Sequence, residues 1–259
     1  MTARTTPPGE ISGMPKLELR YPTTPQSIEA LLPPGLTPTG EPQVHINIYC
    51  VPVQGEPEYG VSTKIPATFH GIDGYYCLGI GIDQESAIFI SREINGQPKF
   101  PCSVTMFRLG STITAKCVHQ GHTFLELHGT VGEAEAVDPA PVETNEWWIK
   151  YSRAVGGAEG AYDFPPHVVR VRMVTAALER LPIDAEIQLR SSEWDPYLRH
   201  LPPTGPCTAA LVTSQPRERE ITLAGALDPL EFWPFTDTIG GSRWPGTRGG
   251  PLAFADEPT

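Results

Sequence analysis

Glycine and proline divide this chain into short pieces. There are 25 glycines and 29 prolines among 259 residues, about one position in five where roughly 12% would be ordinary. Between them lie short apolar runs with the period of two that half-buried strands show. The clearest is 43–53, in which Val44, Ile46 and Ile48 alternate with polar residues. Further runs fall at 65–69, 75–82, 87–94, 104–109, 147–151, 167–174, 185–191, 207–213 and 220–223. Segments 113–119 and 123–129 flank Gln120-Gly121 and read as a hairpin. One helix is expected at 25–32, with Thr24 as N-cap, Pro25 at the first helical position and Pro33 as the stop. A short helical turn is expected at 194–200.

This pattern predicts a mainly β (α+β) fold: an antiparallel β-sheet curled into a cone or barrel, with a few short peripheral helices. No internal linker divides the chain. Residues 15–240 read as a single domain. Residues 1–14 read as a disordered N-terminal tail and 241–259 as a flexible C-terminal tail, because both are rich in Gly, Pro and polar residues.

Charge narrows the partners. Thirty acidic residues against 19 basic ones give a net charge of −11. That excludes the basic footprint of a nucleic-acid binder and docking on an anionic membrane surface. No run approaches the ~18 apolar residues of a spanning helix, and the first residues lack the apolar core of a secretory signal. The five cysteines have no C-x-x-C spacing, so a disulfide framework or zinc knuckle is not expected. A cytoplasmic location follows as the expectation. His119, His122 and His128 crowd the hairpin, but a metal site needs a further converging ligand and outer support; no metal is expected. Gly79 and Gly81 lack the rest of a dinucleotide fingerprint and read as places of close backbone approach.

Only five residues are lysines: Lys16, Lys64, Lys99, Lys116 and Lys150. Lys99 lies in Gln97-Pro98-Lys99-Phe100-Pro101, whose apolar neighbours offer neither charge nor side-chain hydrogen bonds. A lysine there loses hydration, and desolvation favours its neutral form. The neutral form matters because only about 0.04% of an ordinary lysine is neutral at pH 7.

The stretch 74–107, with Ser91-Arg92-Glu93 ahead of Gln97-Pro98-Lys99, resembles the acetoacetate decarboxylase family. Segments 17–36, 44–49, 65–69, 74–76 and 189–202 follow in that family's order, so the resemblance spans roughly 16–235. The resemblance implies that Lys99 forms a Schiff base; acetoacetate decarboxylase is the standard instance of a lysine activated by desolvation or a neighbouring cation. Two positions depart from the pattern. Phe100 stands where the founding enzymes have a second lysine, so burial must supply the activation. Their pocket glutamate falls at Gly60 or Val61, with Glu58 close but out of register. Glu58 and Tyr197 are therefore candidate acid/base groups, and Arg20, Arg92, Glu93, Gln97 and Phe100 candidate pocket residues. The implied activity is decarboxylation of a small 3-oxo acid by a homo-oligomer without metal or organic cofactor. The alternatives are aldolase-dehydratase or cyclase chemistry on a 2-oxo acid through the same imine, or a β-barrel that binds a small apolar ligand without turnover.

Overall fold

The computed structural model describes residues 14–53 and 55–251. In chain order the elements are β1 (Lys16–Pro22), α1 (Pro25–Leu31), β2 (Thr37–Pro38), β3 (Gln43–Val53), β4 (Glu56–Phe69), β5 (Ile72–Ile82), α2 (Glu85–Asn95), β6 (Lys99–Pro101), β7 (Ser103–Leu109), β8 (Thr112–His119), β9 (His122–Val131), β10 (Val142–Arg153), β11 (Tyr162–Leu189), α3 (Tyr197–His200), β12 (Thr208–Ala226), α4 (Pro229–Phe232), β13 (Gly246–Thr247) and β14 (Gly250–Pro251).

One large sheet runs β10-β5-β4-β3-β1-β12-β11-β9-β8-β7, and β10 also pairs with β11. That extra pairing closes β10, β5, β4, β3, β1, β12 and β11 into a ring. Most neighbours are antiparallel; β10 meets β5 in parallel, as does β6. The 28 residues of β11 belong to two layers. Its first half pairs with β10 and its second half with β9, so β7–β9 continue outward from the ring.

The two alternating side-chain sets of the ring differ in character. One set, including Leu17, Leu19, Val44, Ile46, Ile48, Val61, Ile65 and Trp147, joins the main core, together with Ile28 and Leu31 of α1, Val104 and Met106 of β7, and Phe232 of α4. The other set forms a smaller cluster of Cys77, Ile80, Ile82, Trp148, Val169 and Val171, with Tyr49, Met173 and Ile221 against it. These come from opposite walls of the ring, so this set faces its lumen. Ile88 of α2 joins them, which places α2 across one end.

The expected helix at 25–32 is α1, with the Thr24 hydroxyl accepting from Ser27 N–H at 3.1 Å. The expected hairpin is β8–β9, turning through Gln120 and Gly121 at positive φ. Two expectations are corrected. Segment 87–94 is not a strand; it lies in α2, which ends at Gly96 in the left-handed conformation. A short unbroken apolar run does not distinguish a helix from a strand, and Phe89, Ile90 and Ile94 sit exposed on the helix's outer face. Nor is 241–251 a tail. Ser242 and Trp244 are each 1% exposed, Trp244 packs edge-on to Tyr197 at 5.1 Å, and Arg243 bonds to the Ile149 carbonyl. The segment is held by these contacts, which composition does not register. Residues 1–13 and 252–259 lie outside the described residues.

Replacing Trp244 by alanine should therefore lower unfolding stability by about 3–5 kcal/mol, read from urea titrations. A loss below about 1 kcal/mol, the scale of ordinary surface substitutions, would return this segment to the status of a tail.

Candidate active site

Lys99 enters the ring from β6. Pro98 and Pro101 bracket it, and its strand pairs with β5 at Ile80↔Lys99, fixed by Ile80 N–H to the Pro98 carbonyl at 2.9 Å. Gly241 passes so close that a Cβ there would overlap the Lys99 carbonyl oxygen; only glycine fits. Successive residues of β6 face opposite ways. Phe100 turns into the main core, over Gly79 and Gly81 and against His119 at 4.5 Å. Lys99 turns to the lumen.

There its Nζ lies 3.1 Å from Glu58 Oε2. Lys99 is 7% exposed and Glu58 3%. Glu58 looks out of register when counted back from Ile65-Pro66, yet strand alternation puts Glu58, Gly60, Ser62 and Lys64 on one face of β4. A carboxylate two residues from position 60 thus reaches the same lumen one step along. Over Gly60 lies the phenol of Tyr49, its cross-strand partner; a Cβ at 60 would collide with that ring. Burial, and then the charge of Glu58, push the Tyr49 phenol well above its ordinary pKa.

A second lysine shares the lumen. Lys64 pairs with Glu146, which also accepts the Trp148 indole N–H at 2.6 Å. Burial opposes the Lys64 charge, but Glu146 and the other acids near it outweigh that and raise its pKa. Lys64 is thus held as an ammonium and is a poor nucleophile. Beyond it, a cavity of about 400 Å³ opens at the rim, lined by Arg20, His45, Tyr75 and Thr144 among others. His45 is pushed down to about 4 by burial and by Arg20, so its imidazole is neutral there.

The other sequence candidates disperse. Tyr197 is on the far side of the sheet, bonded to Thr63 and stacked on Phe124 at 5.5 Å; the alternation that brings Glu58 inward carries Thr63 and its partner outward. Phe100, as above, belongs to the core. Arg20 sits at the rim, 3.2 Å from Glu18. Arg92 is exposed on α2 and donates to the Gly240 carbonyl at 3.4 Å. Glu93 is exposed on the same helix. Gln97 is partly exposed, and its carbonyl takes the Lys99 N–H at 2.8 Å. His119 is buried and bonded through Nδ1 to Asp195 at 2.9 Å, while His122 and His128 are exposed. The sequence reading missed Tyr49, Lys64 and Glu146; the strand period of β3 and β4 was the available signal for the first two.

The acetoacetate decarboxylase family model matches residues 2–220. The chain belongs to the acetoacetate decarboxylase family. No curated protein matches it in sequence. Among solved structures, the acetoacetate decarboxylase of Legionella pneumophila is similar at a TM-score of 0.65 with 15% identity, over 87% of this chain and 91% of that one. An acetoacetate decarboxylase-like enzyme from Sphingomonas wittichii RW1 gives 0.60 with 18% identity, over 79% and 91%. The enduracididine biosynthesis enzyme MppR, complexed with the condensation product of pyruvate and imidazole 4-carboxaldehyde, gives 0.62 with 13% identity, over 80% and 87%. These likenesses establish the acetoacetate decarboxylase fold. Among the described residues no group of three metal-ligating side chains converges, and no helix is long and apolar enough to cross a membrane.

Removing one partner of a buried ion pair leaves the other uncompensated, at about 3–5 kcal/mol. Lys99→Met and Glu58→Gln should each destabilise on that scale, and Lys99→Met/Glu58→Leu should recover most of the loss. Additive losses in urea denaturation would mean that the two side chains are not coupled.

Proposed function

We propose that this protein is an imine-forming carbon–carbon lyase acting on a small oxo acid through Lys99. The observation that carries this reading is a lysine paired with a carboxylate in a closed, partly apolar lumen. Transfer of one proton from Lys99 to Glu58 across their 3.1 Å contact gives a neutral amine and a neutral acid, both cheaper to bury than ions. The amine then attacks the ketone carbon, and the hydroxyl of the adduct leaves as water with the proton held by Glu58, so that the iminium forms beside the Glu58 carboxylate. A carboxylate β to the iminium departs as carbon dioxide, its bonding electrons forming an enamine. Protonation on carbon and hydrolysis release the ketone and restore Lys99.

Decarboxylation of a 3-oxo acid is the leading outcome. A second reading is favoured by the likeness to MppR, a structure of which holds pyruvate. In that reading an enamine from a 2-oxo acid adds to an aldehyde, and the adduct loses water. The lumen suits either acid: Tyr49, Glu58 and Lys64 are polar, while Ile80, Trp148, Val169 and Val171 are not. A homo-oligomer is part of the proposal, supported by the exposed apolar side chains of α2.

Borohydride reduction in the presence of acetoacetate or pyruvate should leave a stable mass increment on the peptide containing Lys99, absent in Lys99→Ala. Carbon dioxide release then marks the decarboxylase, and consumption of an added aldehyde marks the condensing enzyme. An increment on Lys64 instead would show that the wrong amine had been chosen. No increment with any of several oxo acids would leave a binding protein.

A further inference from the structure

An enamine on Lys99 must be protonated on carbon, and Glu58 is already engaged by the lysine nitrogen. Few other proton-bearing groups stand near this end of the lumen. The Cys77 thiol is turned to the Gly79 carbonyl, 3.7 Å away. The Asp83 carboxylate is turned to the Tyr59 N–H, at 2.9 Å. Tyr197 faces the main core. The Lys64 ammonium is taken up by Glu146. Tyr49 remains: its phenol lies over Gly60, on the face that carries Glu58 one step along, and against the cluster containing Ile80, the cross-strand partner of Lys99.

Resting on the imine reading above, we infer that Tyr49 is the proton donor to the enamine carbon. The glycine at 60 is the space that admits its ring. Burial and the neighbouring carboxylates keep the phenol protonated until the enamine forms. The enamine's electron pair then takes the phenol proton. A C–H bond forms, the C=N iminium on Lys99 is regenerated, and a phenolate is left beside that cation, which offsets its charge. Water next adds its oxygen to the iminium carbon and gives one proton to the phenolate. Collapse of the carbinolamine frees the ketone and the amine, Tyr49 is returned protonated, and the proton spent in expelling water at iminium formation is replaced from solvent.

Acetone in D2O isolates this step, because exchange of its methyl protons needs only imine formation, enamine formation and reprotonation. The wild-type protein should exchange them, followed by NMR, and should give an acetone increment on Lys99 with borohydride. Tyr49→Phe should keep the increment while exchange falls by about 100-fold or more, the lower range of general acid–base contributions. Incorporation of 3-fluorotyrosine at 49, which keeps the ring and hydroxyl but changes its acidity, should alter the exchange rate and leave the increment unchanged. Exchange in Tyr49→Phe within about threefold of wild type overturns the assignment. So does loss of both increment and exchange, which would make the phenol a structural wall, and so does loss of exchange in Glu58→Gln alone. Absence of both signals in the wild type overturns the imine reading itself, and the two failures are thereby distinguished.

Discussion

Closure of the ring by β10 is the constraint on which the rest depends. β10 pairs with β5 on one side and β11 on the other, so seven strands enclose a lumen without a free edge between them. Closure would be ordinary if the apolar side chains filled the inside. Here β1, β3 and β4 send their most apolar set outward: Leu17, Leu19, Val44, Ile46, Ile48, Val61 and Ile65. That outer surface cannot be left to water. It explains the other elements: β7–β9 fold back over it, α1 and α4 seal it, and Trp244 closes the remaining gap. The polar set of those three strands is then obliged to face inward.

An inward polar set needs partners, because an unpaired buried charge is strongly unfavourable. The lumen answers with two lysine–glutamate pairs at different depths, Lys99 with Glu58 and Lys64 with Glu146. The two are not equivalent. Glu146 is tied further by the Trp148 indole, and Lys64 is held charged. Lys99 comes from the short β6, tied down by two prolines and by Gly241 against its carbonyl. One pair is suited to holding the wall together. The other sets an amine beside a carboxylate in a space that includes apolar side chains, which is what the imine reading proposed above calls for.

The parts of this structure legible in the sequence are those set by neighbours along the chain. Thr24-Pro25 ahead of α1 and Gln120-Gly121 in the β8–β9 turn each carry their own local chemistry. Lys99 stood out because its flanking residues are unlike those of any other lysine here. What escaped depends on pairing between distant segments. Asn95-Gly96 has the composition of a turn, and Gly96 is the left-handed cap of α2; whether such a pair joins two strands or ends a helix depends on how 87–94 packs. Glu58 looked misplaced because linear counting ignores that strands place every second residue on one face. Tyr49 could be found only from the register that sets it opposite Gly60. Trp244 sits among glycines and prolines, and its burial comes from Tyr197, His200 and the segment's own turns.

The division between an outward apolar set and an inward polar one also separates fold from chemistry. The outward set fixes packing between layers, and any sequence that keeps its volume and alternation keeps the ring. The inward set on β1, β3 and β4 contributes little to that packing. Its side chains can change, provided each charge finds a partner. Structures of one shape can therefore carry different acids and bases around one lysine, and the reaction is decided by a handful of lumen positions rather than by the sheet. On the reading proposed above, those positions in this chain are Lys99, Glu58 and Tyr49 at the end covered by α2, with Lys64, Glu146 and His45 toward the rim. On that reading a carboxylate at 58, rather than at the 60 or 61 that the family pattern implies, moves the base along β4, and the space over Gly60 is filled by the ring of Tyr49.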